Sequence, residues 1–369
     1  MISRRCSSPP CERPSGHKPA CRAGGKRHAQ SLFLVLVILV PSLLTVGCAA
    51  PLSACAPGHL RVGLITDAAG IDAAENALTW QGIERAGQQL AVCAQFIESR
   101  TEADYQKNIT TLAEEGFDLV VTAPALASAV QKMAEAYPGT HFLVVDGALD
   151  SPAANVHNLT FRVDQVAFPA GYLAAAWADL EDPAGPWVGY VASRLNASAE
   201  EYVAAFKAGV AYYNTQKDGG VGLRGVSIDA EDVQDADDQA NALIDLGIDV
   251  IFEVSDGALT GALAMAKARG RWGIGTDLDR YEDAADARDI LLTSAVKRLD
   301  NAAYSFLEQW TQGGAGPSKV FVGTLENGGV ALAPYHDTEK QIPASIRKEV
   351  ADIQAVIREG EIDTGWQAP

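Results

Sequence analysis

From residue 60 onward, short apolar runs alternate with longer stretches whose apolar residues recur at helical spacing. Runs of strand length lie at 60–66 (LRVGLIT), 91–97 (AVCAQFI), 118–122 (DLVVT), 141–145 (HFLVV) and 156–162 (VHNLTFR), and helical patterns at 75–90, 102–116 and 125–137 separate the first four. The rhythm then repeats, with strand candidates at 187–192, 223–229, 248–253, 271–275 and 290–296 and helical patterns at 198–213, 236–246 and 257–269. Strand–helix alternation predicts a parallel α/β sheet covered on both faces. Its repetition predicts two similar α/β halves, joined near residues 163–186. Sheets of this kind take ligands outside the carboxyl ends of their strands, so a two-lobed chain is expected to hold a ligand in the cleft between lobes. The tail at 342–362 reads as an amphipathic helix packed across one lobe, with Pro343 at its start.

The first thirty residues differ from the rest, with Arg4, Arg5, Arg13, Lys18, Arg22, Lys26 and Arg27 against the single acid Glu12. They lead into SLFLVLVILVPSLLTVGC, residues 31–48. A basic segment, an apolar segment of this length and small residues before a cysteine form an export signal. TVGC resembles a bacterial lipoprotein box, which makes Cys48 the expected site of lipidation and the first mature residue, with an uncleaved anchor helix as the alternative. Residues 49–59 then form a tether. Removing residues 1–48 takes seven bases and one acid with it, leaving 46 acids, 22 bases and a formal charge of −24. Such a surface repels nucleic acid and anionic head groups.

Cys55 and Cys93 are the two cysteines left beyond Cys48. One precedes the first strand and the other opens the second, so both could sit at one sheet edge. An exported compartment permits a disulfide between them; two buried thiols are the alternative. Enzyme signatures are missing. GVGLRG at 220–225 precedes a strand, whereas a dinucleotide fingerprint follows one. His59, His141, His157 and His336 have no ligand spacing, so no metal is expected, and no G-x-S-x-G elbow occurs.

What remains is polar chemistry at strand ends. Asp67 follows the first strand, Asp146 the fourth, Asp277 and Asp279 follow GIG, and Lys297 ends LLTSAV. Any single aspartate there also fits a cap or a turn. Taken together they line a cleft with acceptors for hydroxyls and ring N–H groups and with one cationic donor. That lining suits a neutral, hydroxyl-rich molecule such as a nucleoside or sugar and disfavours phosphates.

These residues also resemble a known family. TDAAGIDAAENALTWQG at 66–82 is similar to the first-loop pattern of the basic membrane lipoproteins, PnrA-like purine-nucleoside receptors that serve ABC importers. DYQKNITTLAEEGFDLVV, FLVVDG, FPAGYLAA, VAAFKAGV, GTDLD, LLTSAVKR, LENGGVAL and REGEI follow in family order across residues 60–362. The resemblance implies a type I periplasmic-binding fold, with two Rossmann-like lobes, three crossovers and a closing cleft. It implies lobe 1 at 60–163 plus 298–315, lobe 2 at 164–297 plus 316–335, and a C-terminal helix within 336–369. It places Asp67, Asn76 and Asp146 near a base and Asp277 with Lys297 at ribose hydroxyls, with Asp279, Phe168 and Trp80 as further candidates. It also implies a monomer with no cofactor, lipid-anchored on the extracytoplasmic face of the cell membrane and partnered by permease subunits. A sensing lipoprotein of the same fold, without transport, is the alternative.

The chain departs from the pattern in its first loop. One residue is deleted, and Glu75 stands where the family carries a phenylalanine before the asparagine. A second family aromatic falls near Val233. Trp80, Phe168, Tyr172, Tyr202 and Tyr281 are the candidates to supply a stacking face, with core packing the alternative for each.

Overall fold

The computed structural model describes residues 55–149, 152–194, 198–228, 233–255, 261–313 and 318–366. The export signal, Cys48 and residues 49–54 of the tether lie outside them.

The first lobe begins β1 (Leu60–Ile65), α1 (Ala74–Gln89), β2 (Val92–Ile97), α2 (Tyr105–Glu114), β3 (Leu119–Thr122), α3 (Ala127–Ala134), β4 (His141–Val145) and β5 (Val156–Phe161). The chain then enters the second lobe through α4 (Asp164–Glu181), followed by β6 (Trp187–Ser193), α5 (Ala199–Lys217), β7 (Gly222–Ile228), α6 (Val233–Asp245) and β8 (Val250–Val254). Next come α7 (Gly261–Ala268), β9 (Trp272–Asp277), the short α8 (Arg280–Asp283) and β10 (Leu291–Lys297). It returns with α9 (Leu299–Gly313) and β11 (Val320–Gly323), crosses once more to β12 (Val330–Leu332) and ends in α10 (Ala344–Arg358).

Two six-stranded sheets result, ordered β11-β5-β4-β3-β1-β2 and β12-β10-β9-β8-β6-β7. Every pairing is parallel except that of β12 with β10. The central strands show why. LVVT of β3 and VIFEV of β8 are buried at every position, as strands covered by helices on both faces must be. Three crossovers join the lobes, at β5–α4, β10–α9 and β11–β12.

Two parts of this arrangement differ from the sequence reading. The strand–helix rhythm marks residues 163–186 as the join between the halves and predicts no helix there, yet most of them form α4, the central helix of the second lobe. It is buried on nearly all sides, from Val166 through Ala178, so it has no polar face to give it an amphipathic period. Its contact with α5 is very close. A Cβ on Gly171 would lie 2.1 Å from the Phe206 carbonyl oxygen, and one on Gly209 would lie 2.0 Å from that of Phe168. Glycine is required at both places because the two backbones touch. The second difference is at 316–335, assigned above to lobe 2. Val320–Gly323 instead pairs with Asn158–Phe161 of β5 in the first sheet, so the last crossover falls after it. A four-residue edge strand with alternating exposure is too short for its pattern to say which sheet it joins.

Cys55 and Cys93 form a disulfide with Cα atoms 5.7 Å apart, tying the segment before β1 to the edge strand β2. It closes a loop with a sequence separation of 38, for which chain entropy gives about 4 kcal/mol. Cys93→Ser is expected to lose about that much unfolding free energy in urea titration, and reduced wild type should match it. Equal midpoints before and after reduction would show that the bridge does not form.

Glu253 on β8 is 1% exposed. One carboxylate oxygen accepts the Leu263 N–H at the start of α7 (2.9 Å), and Oε1 has no partner among the described residues. Burial pushes this carboxyl up to about 7, with the Leu263 N–H offsetting only part of the effect. The folded state therefore keeps a proton that the unfolded chain gives up near its ordinary value of 4.5, and stability falls as pH rises from there to about 7. Glu253→Gln is expected to melt several degrees above wild type near about pH 8 and to match it at about pH 4.5. Parallel melting curves at both pH values would contradict this account.

Candidate ligand-binding site

The carboxyl ends of β4 and β9, the fourth strand of each lobe, each deliver an aspartate in the same unusual conformation. Asp146 has φ 55° and Asp277 has φ 64°. L-residues avoid this left-handed region, although aspartate and asparagine enter it more readily than most. Such strain persists only where the surroundings hold it. Here they include Lys297, the last residue of β10. Its Nζ lies 2.9 Å from Asp146 Oδ2 and 2.8 Å from Asp277 Oδ1. One ammonium thus joins a carboxylate from each lobe.

The lysine side chain is 5% exposed, that of Asp277 8% and that of Asp146 30%. Burial opposes the charge on Lys297, but Asp277 and Asp146 together override it and hold the ammonium above its usual range. Burial pushes the Asp146 carboxyl up, with Lys297 opposing and Asp277 reinforcing. The Tyr202 hydroxyl donates toward Asp277 Oδ1 (3.2 Å) and the Ala295 carbonyl (3.1 Å), which fixes the second aspartate against α5.

On the first lobe, Asp67 and Asn76 meet. Asn76 Nδ2 donates to Asp67 Oδ1 (2.9 Å) and to the Gly70 carbonyl (2.8 Å), and the Ala69 N–H also donates to Asp67 Oδ1 (3.0 Å). The loop after β1 is thereby folded onto the first turn of α1. Asp67, Glu75, Asn76, Thr79, Pro124 and Asp146 line a cavity of about 280 Å³. A second cavity, of about 200 Å³, includes Lys297, Leu78, Asp279 and Leu332 in its walls. Leu78 and Thr79 are neighbours on α1, so that helix contributes to both.

The structure brings Asp146, Asp277 and Lys297 into one cluster and places Asp67 and Asn76 on the wall shared with Asp146. Asp279 lines the second cavity but is engaged elsewhere: it caps α8 by accepting the Tyr281 N–H (3.2 Å) and contacts His336 Nε2 (2.8 Å). Trp80 packs edge-on against Phe96 of β2 (5.1 Å). Phe168 is buried in the α4–α5 contact near Tyr212. Tyr172 donates to Glu349, and Tyr281 stacks on His336. Tyr202 therefore reaches the cluster with its hydroxyl and, being fully buried, presents no open face. Sequence reasoning offered Tyr202 for its ring face, with core packing as the alternative, and did not foresee its hydroxyl on Asp277. It noted Glu75 only as a replacement, although its place just before Asn76 in the first-loop pattern was the available signal.

Lys297→Met would leave Asp146 and Asp277 facing each other without a cation. Breaking a buried pair on one side costs about 3–5 kcal/mol, so the variant is expected to melt well below wild type at neutral pH. The loss should shrink as acid protonates the stranded carboxylates. A melting temperature within a degree or so of wild type at neutral pH would show that the bridge contributes nothing net.

Comparison with known proteins places this chain in a family. Residues 59–364 match the Bmp family, described as "ABC transporter substrate-binding protein PnrA-like". A CD4+ T-cell-stimulating antigen of Listeria innocua is 26% identical over 322 residues, covering 82% of this chain and 87% of its own. Basic membrane protein A of Borreliella burgdorferi is 24% identical over 341 residues, covering 89% and 94%. Among solved structures, an ABC transporter system solute-binding protein from Aeropyrum pernix superposes with a TM-score of 0.64 at 22% identity, covering 82% of this chain and 92% of its own. A periplasmic ribose ABC transporter structure from Conexibacter woesei gives 0.56 at 13%, covering 80% and 99%. These likenesses show a periplasmic-binding fold of two lobes, and with the match over residues 59–364 the chain belongs to the Bmp family of PnrA-like ABC transporter substrate-binding proteins.

Proposed function

We propose that this protein captures a nucleoside in the cleft and presents it to permease subunits while anchored to the outer face of the cell membrane through lipidated Cys48. The observation that carries the reading is Lys297 held between Asp146 and Asp277 from opposite lobes. A ribose bears adjacent hydroxyls, each able to donate and accept. Such a pair can give protons to the two carboxylates and accept one from the ammonium. The negative charges of Asp67, Glu75, Asp146 and Asp277 leave little room for a phosphate. Closure by rotation about the three crossovers would bring both lobes onto the ligand, and the closed rims would then dock on the permease.

Anchoring rests on the leader sequence alone. Among the described residues no helix is long and apolar enough to cross a membrane.

The test is a thermal-shift series on the purified protein with guanosine, inosine, adenosine, ribose and the corresponding monophosphates. A ligand present at a hundredfold excess over its dissociation constant stabilises by about 2.7 kcal/mol. At least one nucleoside should raise the melting temperature by several degrees while its monophosphate does not, and Asp277→Asn should abolish the shift. No response to any nucleoside would overturn the proposal.

A further inference from the structure

The wall that lobe 1 gives to the cleft is acidic, and among the described residues none that lines its cavity is aromatic. Glu75 is the second residue of α1 and lines this cavity beside Asn76. Asp146 and Asp277 share Lys297, whereas Glu75 has no ion pair among the described residues. Its carboxylate takes a hydrogen bond from its own backbone N–H and feels Asp277 from the opposite lobe and Asp67 from its own, with Arg280 opposing the two acids. That guanidinium is already committed, to Asp283 (2.9 Å) and to the carbonyls of Thr276 and Ser255 (3.1 and 3.2 Å). Glu75 is thus an acceptor in a negative field, and incoming N–H donors satisfy it in a way that a further acceptor does not.

We infer that Glu75 is a specificity-determining residue of the ligand site, selecting nucleosides whose ring carries an amino group over the same ring without one. The inference rests on the nucleoside reading above. Partial desolvation and then the repulsion from Asp277 raise the Glu75 carboxyl above its ordinary value, with its own backbone N–H and Arg280 opposing.

Two ligand pairs isolate the amino group: guanosine against inosine, and adenosine against purine riboside. Titration calorimetry at neutral pH on wild type, Glu75→Gln and Glu75→Ala is expected to show the amino-bearing member binding wild type about tenfold more tightly in at least one pair. In both variants that gap should narrow to within about threefold. The substitutions lie at an exposed position, and melting curves will report whether the fold is intact. Binding of nucleosides with no gap in wild type, or with a gap that both variants preserve, would overturn the role of Glu75 and leave the nucleoside reading standing. Absence of binding by all four ligands would overturn both.

Discussion

A lysine that water barely reaches must find its counter-charges within the protein, and Lys297 finds one on each lobe. That requirement organises the centre of the molecule. Taking an ammonium out of water is expensive, and only close, well-oriented carboxylates offset the expense. Asp146 and Asp277 reach it from the ends of equivalent strands, and each does so in a backbone conformation that L-residues resist. The strain of two left-handed aspartates and the burial of one cation are therefore linked. Removing any member leaves the others in positions that their own chemistry does not favour. Tyr202 extends the cluster into α5, and α5 is in turn locked to α4 by the backbone contact at Gly171 and Gly209.

The same cluster limits what the cleft can hold. A flat aromatic ring gains about 1–3 kcal/mol from stacking on an aromatic side chain, and among the described residues neither cavity has an aromatic wall. Hydrogen bonds to charged groups contribute about 1.5–3 kcal/mol each, so carboxylate contacts of comparable size can stand in for a stacking face. The cost is directional. Stacking tolerates many rings, while a carboxylate accepts only where a donor points at it.

Much of this was legible along the chain, for reasons that particular residues make plain. Buried parallel strands such as LVVT and VIFEV betray themselves as unbroken apolar runs, and the alternation with helices follows. Asp146, Asp277 and Lys297 were legible as polar residues that end such runs. The helix α4 was not, because periodicity reports a contrast between faces and a helix surrounded by protein has none. Asp279 has the same local signature as Asp277, yet two residues further on its carboxylate has turned to cap α8 and meet His336. Trp80 and Phe168 were plausible stacking residues by type, and only tertiary contacts reveal that Phe96 and the α4–α5 contact already occupy them.

The exchange of strands at the third crossover bears on how the chain acquires its form during synthesis. Lobe 1 needs β11, which the ribosome makes only after the whole of lobe 2 up to β10, and lobe 2 needs β12, which comes later still. Emerging domains tend to fold as units from the N-terminus, but here neither unit is a contiguous stretch. The first sheet waits with β5 uncovered at its edge while some 160 further residues are made. A topology of this kind withholds completion of both lobes until the last strands appear.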